Sequence, residues 1–203
     1  MKSIGMRGQG HNYLENNNHI WIGADGPNTF TFVNGAPVPI IIVVWYAAMS
    51  DNQASFMNAR IASVTYSLPQ KGDAVVVSLG NDVPGGWAAL YNHQTRLTEF
   101  GQIDNTFGEF STGDYATTDV SRLVNMAGNS MTIKVGGPGG CLADMNTCAY
   151  ACNKGYNSCG ANGTYNLLNC GGVNGVSGND PHGNPTGGCQ GWSNGGHVEV
   201  VLS

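Results

Sequence analysis

The chain has 203 residues, a net charge of −5 and a pI near 5.3, and only 10% of its residues are charged, against about 25% in typical soluble proteins. Its few basic residues are scattered, which excludes a nucleic-acid partner because phosphate neutralisation needs clustered Lys and Arg. An apolar fraction of 41% argues against disorder. A chain of this length folds as one domain, with room for a smaller lobe, and buries roughly 70% of its surface.

The N-terminal segment, residues 1–18, is polar and reads MKSIGMRGQGHNYLENNN, with no apolar run of signal-peptide length. We expect a flexible N terminus on a mature chain, in which a start Met or a tag remnant replaces an export signal. No later segment reaches the roughly 18 apolar residues of a membrane span. The sequence therefore predicts no membrane insertion.

From residue 19 to about residue 135, short strand-like segments alternate with turns rich in Gly, Pro and Asn. TFTFVNG alternates at period two, and PIIIVVWY is continuous and β-branched, as expected of a strand covered on both faces. VTYSL and AVVVSL, with PQKGD between them, indicate two strands joined by a turn. Short strands at this spacing predict an all-β protein, either an antiparallel sandwich or a barrel.

The composition changes at GGPGG, and a lobe rich in Cys, Gly and Asn follows over residues 136–195. This lobe has too little apolar material for a core, so cross-links must hold it. Its segment ADMNTCAYACNKG predicts one helix, with Asp144 as N-cap and Gly155 beyond its C-terminal end. The alternating HVEVVLS then returns to the sheet, so residues 19–135 and 196–203 are predicted to form the β domain.

All six cysteines lie in this lobe: Cys141, Cys148, Cys152, Cys159, Cys170 and Cys189. An even number among Gly and Asn indicates a disulfide framework made in an oxidising compartment, and hence a secreted protein. The spacings fit no common zinc module, so we expect neither a metal nor a cofactor. The connectivity stays open at this point. Asn162 begins an N-G-T glycosylation sequon, which predicts a surface loop.

Two carboxylates stand out in TFGEFSTGDYATTDVS, residues 106–121. Glu109 and Asp119 lie on two strand-like runs, and Asp114 lies in the turn between them. Adjacent antiparallel strands would bring Glu109 and Asp119 within the separations that glycosidases use, about 5–5.5 Å for retention and 6.5–9.5 Å for inversion. One hypothesis is an acid–base pair for glycoside hydrolysis, and the other is a pair of solvated carboxylates on a sheet face.

Seven segments between about residue 29 and the C terminus resemble, in the same order, segments of the thaumatin-like protein family. They are TFTFVNGAPVPIIIVVW, SLPQKGDAVVVSL, PGGWAALY, NTFGEFS, TTDVSRLVNMAGNSM, GGCLADMNTC and CQGWSNGGHVEVVL. The resemblance implies an antiparallel β-sandwich with a disulfide-rich lobe and a short-loop bond between Cys152 and Cys159. The low cysteine content is similar to that of the compact members that fungi secrete, some of which provoke defence responses in plants.

The resemblance also implies an acidic cleft made of one Arg, one Glu and three Asp. Carried over position by position, Glu109 and Asp119 take the places of the Glu and of the first Asp. Trp87 or its neighbours stand at the position of the Arg, and Val124 or Asn125 at that of the second Asp. The third Asp has no match. These departures favour a protein that binds without catalysis.

The sequence thus leads to two functional hypotheses. The first is a secreted monomer that binds cell-wall polysaccharide, such as β-glucan, or a host surface receptor, and that elicits plant defence or cell death. Its ligand would stack on Trp87 or Tyr91 and form hydrogen bonds with Asp114, Asn125 and the two carboxylates. The alternative is a weak endo-β-1,3-glucanase whose catalytic groups are the same two carboxylates.

Overall fold

The computed structural model describes residues 9–48, 56–58, 61–137, 140–172 and 175–203, which form β-strands and no helix. No helix that could cross a membrane therefore occurs in this part of the chain. The strands are β1 (Ile20–Ile22), β2 (Asn28–Asn34), β3 (Ile40–Tyr46), β4 (Ala62–Leu68), β5 (Ala74–Leu79), β6 (Pro84–Tyr91), β7 (Phe107–Ser111), β8 (Thr117–Ser121), β9 (Met131–Val135), β10 (Leu142–Ala143), β11 (Ala149–Cys152), β12 (Tyr165–Leu168), β13 (Val176–Asn179), β14 (Pro185–Gly188) and β15 (Gly196–Leu202).

Two sheets pack face to face as a sandwich. The six-stranded sheet has the order β1-β5-β2-β15-β9-β10, the seven-stranded sheet has the order β12-β11-β8-β7-β6-β3-β4, and β13 and β14 form a separate hairpin. Most pairs are antiparallel, but β15 runs parallel to β2 and β11 runs parallel to β8. The predicted all-β sandwich is confirmed, with mixed sheets where the sequence had predicted antiparallel ones.

The core between the sheets is built around buried aromatic rings. The centroid of Phe30 lies between 5.3 and 6.2 Å from those of Phe32, Trp87, Phe110 and Trp192. Three of these four contacts are edge-to-face, an arrangement that adds about 0.5–1.5 kcal/mol per pair to the area term. The alternating apolar residues of the facing strands complete this core.

A second apolar cluster lies on the outer face of the seven-stranded sheet. Trp45 and Phe107 are fully buried there, with ring centroids 5.4 Å apart. Ile103 and Val124, from the loops after β6 and β8, pack on the same cluster. This arrangement explains why PIIIVVWY is apolar without alternation, because β3 is covered on both faces.

The described part of the N-terminal segment, residues 9–18, hydrogen-bonds to the sheet, which differs from the flexible N terminus that the sequence predicted. The Asn12 side chain donates to the Thr65 carbonyl at 3.0 Å and accepts from the Thr65 amide at 2.8 Å. The Asn12 amide donates to the Ser63 carbonyl at 3.0 Å. These bonds follow from the amide side chain, which matches the exposed donors and acceptors of the edge strand β4.

The helix predicted at ADMNTCAYACNKG is wrong. The Asp144 carboxylate accepts hydrogen bonds from the amides of Asn146 and Thr147, at 2.8 and 2.9 Å, and so stabilises a turn. The chain then enters β11, where Ala149 pairs with Val120 of β8. Asp144 therefore orders the start of the lobe, but the sheet edge, and not a helix, takes up the following backbone.

The six cysteines form three disulfides, so the predicted framework is confirmed. The bonds join Cys141 to Cys189, Cys148 to Cys170, and Cys152 to Cys159. The short Cys152–Cys159 loop is the one that the family resemblance had implied. The Cys141–Cys189 bond spans 48 positions and fixes the end of the lobe against its beginning.

Candidate functional site

A cavity of about 220 Å³ opens on the outer face of the seven-stranded sheet. Strands β7, β11 and β12 form its floor and one wall, and β14 borders it from the lobe. The lining side chains are mostly apolar or aromatic, and one of them is acidic: Phe56, Met57, Glu109, Leu123, Tyr150, Tyr165 and Pro185. Among these lining residues none is basic.

The Glu109 carboxyl group lies at the floor of this cavity, and Asp119 lies beside it, buried from the cavity. The two residues are directly opposite each other in the antiparallel pairing of β7 with β8, and opposite residues have Cβ atoms about 4.5–5.5 Å apart. Their neighbours Phe110 and Val120 point into the core between the sheets. The period of two therefore turns both carboxyl groups to the outer face.

Burial raises the pKa of both carboxyl groups. It raises the pKa of Glu109 to about 7, and the Ser121 hydroxyl beside it acts in the opposite direction. The pKa of Asp119 is raised well above its usual value by burial and by the charge of Glu109. Two adjacent carboxylates in an apolar setting do not both ionise readily. In mildly acidic solution the pair therefore holds protons that ordinary carboxylates have lost.

The two carboxyl groups differ in their access to the cavity. Glu109 is partly exposed and lines the cavity, whereas Asp119 is only 5% exposed and does not. The Asp119 Oδ1 atom accepts no hydrogen bond from any residue that the structure describes. A ligand in the cavity can therefore contact Glu109 directly. Asp119 does not reach such a ligand, and it can influence binding only through its effect on Glu109.

The lobe seals Asp119 from solvent. Thr118 and Cys189 exchange two backbone hydrogen bonds, of 3.0 and 2.7 Å, which draw the end of β14 over β8. A Cβ atom on Gly188 would lie 2.9 Å from the Thr118 carbonyl oxygen and 3.5 Å from the Cβ of Asp119. Gly188 also has φ +148°, a conformation that side chains rarely adopt. Glycine at this position lets the lobe lie against the carboxyl pair.

Two tyrosines form the aromatic wall of the cavity. Tyr150 pairs with Ser121 across β11 and β8, and its ring centroid lies 6.1 Å from that of Tyr165 on β12. The Tyr150 hydroxyl donates to the Gly187 carbonyl at 3.4 Å. Burial raises the pKa of Tyr150, and the charges of Asp119 and Glu109 raise it further. The pKa of Tyr165 is raised by burial, by Asp180 and by Glu109. Both phenols are therefore neutral hydrogen-bond donors.

Two of the predicted ligand-binding residues lie in the core. Trp87 is fully buried between the sheets, and its ring lies so close to Gly108 that a Cβ there would be 2.0 Å from it. Tyr91 is 8% exposed and faces the same core, where burial raises the pKa of its hydroxyl far above the usual value. The prediction that these rings stack on a ligand is wrong, because β6 turns its odd-numbered side chains inward.

Asp114 and Asn125 lie away from the cavity lining. Asp114 is in the turn between β7 and β8, where its carboxylate accepts a hydrogen bond from the Asn194 side chain. The Asn125 side chain donates to the Asp104 carboxylate at 2.8 Å and accepts from the Ala127 amide at 2.8 Å. The structure thus brings Glu109 and Asp119 together, but it gives Asp114 and Asn125 roles in turns. Asn162, the predicted glycosylation site, is exposed in a turn.

Sequence reasoning missed the two tyrosines. Tyr150 lies in the segment that was predicted as a helix, so its position on the outer face of a strand was hidden. Tyr165 lies in a part of the lobe to which no strand was assigned. The alternation in AYAC, with small apolar residues around Tyr150, is a strand-like signal that could have located this wall.

These features define the class of protein: an all-β sandwich with a disulfide-bonded lobe that closes over a buried carboxyl pair. The model of one family, the Allergen Asp f 4-like domain, matches residues 23–183. The match covers more than half of the chain, and the chain belongs to this family. No curated protein matches it. The family match does not name the thaumatin-like proteins, so that resemblance stays a prediction.

Proposed function

We propose that the protein acts outside the cell by binding a polysaccharide, such as a β-glucan of the cell wall or a glycan on a host surface, in the tyrosine-walled cavity. Three disulfides in a small β protein fit an oxidising compartment. The resemblance to secreted thaumatin-like proteins points the same way. A role as an elicitor of plant defence depends on that resemblance alone.

The observation that carries this proposal is the pairing of Tyr165 and Tyr150 with the Glu109 carboxyl around one cavity. Sugar rings offer an apolar C–H face that packs on aromatic rings and hydroxyl groups that need hydrogen-bond partners. A protonated Glu109 both donates and accepts, which suits a neutral hydroxylated ligand better than a carboxylate that only accepts. None of the lining residues that the structure describes is basic, which disfavours a phosphate or sulfate ligand.

The test measures binding of laminarin at about pH 5 by calorimetry and by co-sedimentation with insoluble glucan. We expect Tyr165→Ala to weaken binding about tenfold, because the substitution removes an aromatic face. Glu109→Gln should bind nearly as well as wild type at this pH, because the carboxamide makes the same hydrogen bonds as the protonated acid.

Matched controls are Tyr115→Ala and Glu15→Gln, which alter an exposed tyrosine and an exposed carboxylate outside the cavity lining. Neither should change binding. The proposal fails if wild type binds neither laminarin nor any member of a glycan array, or if Tyr115→Ala weakens binding as much as Tyr165→Ala does.

The second candidate is a weak endo-β-1,3-glucanase in which Glu109 is the acid and Asp119 the second carboxyl. The cross-strand pairing and the raised pKa of Glu109 favour it, since a glycosidase acid must hold its proton near neutral pH. The burial of Asp119 beneath Gly188 opposes it, because the second carboxylate must reach the sugar or a water molecule. Release of sugar from laminarin, lost in both Glu109→Gln and Asp119→Asn, would establish the enzyme over the binding protein.

A further inference from the structure

A second and larger concavity lies at the opposite end of the seven-stranded sheet. It has a volume of about 430 Å³ and is lined by His11, Tyr13, Asn17, His19, Ile20 and Ser63. We call it the N-terminal groove. Its volume lies within the roughly 300–1,000 Å³ of typical ligand sites. The cavity lined by Glu109, Tyr150 and Tyr165, which we call the carboxyl cavity, is smaller. Among the lining residues none is acidic.

The walls of the N-terminal groove are held by specific hydrogen bonds. Besides the Asn12 bonds to β4, the Ile22 amide donates to the Tyr13 carbonyl at 2.8 Å and so ties the segment to β1. The Asn17 side chain accepts from the His19 amide at 2.9 Å and donates to the Ile20 carbonyl at 3.1 Å. The backbone of both walls is therefore fixed before any ligand arrives, which lowers the entropic cost of binding.

The rings at the N-terminal groove are exposed and yet held in place. Tyr13 is 51% exposed, and its ring stacks on His11 with centroids 5.5 Å apart and planes 18° from parallel. Tyr46 is 37% exposed, and its ring and that of His19 are arranged edge-to-face with centroids 4.7 Å apart. By contrast, Tyr115 is 86% exposed and forms no ring contact within the part of the chain that the structure describes. An aromatic side chain that is supported on one face and open on the other is a flat apolar platform.

We infer that the N-terminal groove is a second carbohydrate-binding site, in which a sugar ring packs on the open face of Tyr13 and its hydroxyl groups bond to His19, Asn17 and Ser63. The aromatic platform provides the apolar contact, and the imidazole, amide and hydroxyl groups both donate and accept. This mixture suits a polyhydroxylated ring, and none of the lining residues that the structure describes carries the fixed positive charge that an anionic ligand would require.

The distance between this site and the carboxyl cavity bears on the binding of long glycans. Four strand spacings separate β8, under the carboxyl cavity, from β4, which is about 20 Å across the sheet. A glycan long enough to reach both sites would be held at two points, and its affinity would then exceed that of a short oligosaccharide. The inference does not require a ligand in the carboxyl cavity, since its residues and contacts are separate.

The test is an amide NMR titration of the full chain with laminaripentaose and, separately, with a short oligogalacturonide as an acidic sugar. We expect shifts of the amides of residues 11–20 and 61–65 with laminaripentaose. A response to laminaripentaose supports the inference, whereas a response to the oligogalacturonide alone would contradict it, because a uronate requires a fixed positive charge. Shifts confined to the amides of β7, β11 and β12, or absent with both ligands, would overturn the inference.

Variants of Tyr13 distinguish the loss of its aromatic ring from a loss of folding. Tyr13→Ala should weaken the groove titration about tenfold, and Tyr13→Phe should bind about as tightly as wild type because it keeps the ring. Tyr115→Ala and the cavity variant Tyr165→Ala should leave the groove titration unchanged. Equal weakening by Tyr13→Phe and Tyr13→Ala would mean that stacking is not the cause and would contradict the inference. Since Tyr165→Ala affects only the cavity, failure of one site does not imply failure of the other.

Discussion

The β-sandwich and the disulfide lobe are stabilised by different interactions within one chain. In the sandwich, facing strands bury whole rows of aromatic and β-branched side chains. In the lobe, every residue of β13 is exposed, and the cysteines Cys141, Cys148, Cys152 and Cys189 are prominent among the buried apolar residues. Apolar burial thus stabilises the first region, whereas the second combines fewer buried residues with three disulfides.

The carboxyl cavity lies where these two regions meet. Glu109 and Asp119 belong to the sandwich, whereas Tyr165 and the strand that covers Asp119 belong to the lobe. The sandwich therefore fixes the positions of the two carboxyl groups, and the lobe determines their exposure to solvent. A change in either region should affect the site in a different way, which the following experiments exploit.

The largest effect should come from the centre of the sandwich. Trp87→Ala should lower the free energy of unfolding by about 3–5 kcal/mol, because it removes a fully buried ring that contacts three other aromatic side chains. Urea denaturation followed by circular dichroism measures this loss. Glucan binding should be unchanged at a temperature where the variant is folded.

Trp87→Phe is the matched control and should lose less stability, since it keeps an aromatic ring. A variant that stays as stable as wild type while losing glucan binding would restore Trp87 as a ligand platform. That outcome would contradict the burial of this ring.

More of the fold than of the candidate site could be predicted from the sequence. The period of two in β2 and the continuous apolar run of β3 predict strands directly, since side-chain burial imposes these patterns. The register that places Glu109 opposite Asp119 follows from a short turn between two strand-like runs. The prediction that Trp87 contacts a ligand was wrong, because alternation assigns a residue to one face of a strand but does not say which face packs in the core.

The lobe shows why the rest could not be predicted. Tyr150 and Tyr165 reach the cavity only because β11 and β12 join the edge of the sheet beyond β8. That junction depends on contacts distant in sequence, among them the hydrogen bonds between Thr118 and Cys189. Local propensity in a Gly-rich segment carries no such information, and so the segment around Tyr150 was predicted as a helix.

The second effect in size concerns the lobe. Replacing Cys141 and Cys189 together by Ser should cost about 2–4 kcal/mol, because the bond closes a loop of 48 positions. Far-ultraviolet circular dichroism of the sandwich should persist, whereas limited proteolysis should cut the lobe sooner. Glucan binding should weaken as well, since the wall at Tyr165 and Pro185 loses its anchor.

The matched control is the double replacement of Cys152 and Cys159 by Ser, which opens a loop of only 7 positions. It should cost less, because loop-closure entropy grows with loop length. If both pairs cost the same, or if the sandwich unfolds together with the lobe, then the two regions are not stabilised independently.

The smallest effect is a dependence of stability on pH, and it is the one most specific to the junction between the sandwich and the lobe. The pKa of Glu109 rises from an ordinary 4.5 to about 7 on folding, and that of Asp119 also rises. Between these pH values the folded state binds more protons than the unfolded state, so stability must fall as pH rises. We expect a loss on the order of 1–3 kcal/mol between about pH 4.5 and pH 7.5.

Urea denaturation at a series of pH values measures this loss, and two variants assign it. Glu109→Gln should make the profile shallower, with the burial of Asp119 still contributing, and should be more stable than wild type at about pH 8, because it removes one of two facing charges. Glu15→Gln should keep the wild-type profile. Asp180 does not interfere, because hydrogen bonds from Asn184 lower its pKa and its contribution is lost only as pH falls below 3.8. A profile that is flat or rising between pH 5 and 7, and the same in Glu109→Gln, would mean that the lobe does not keep the pair from water.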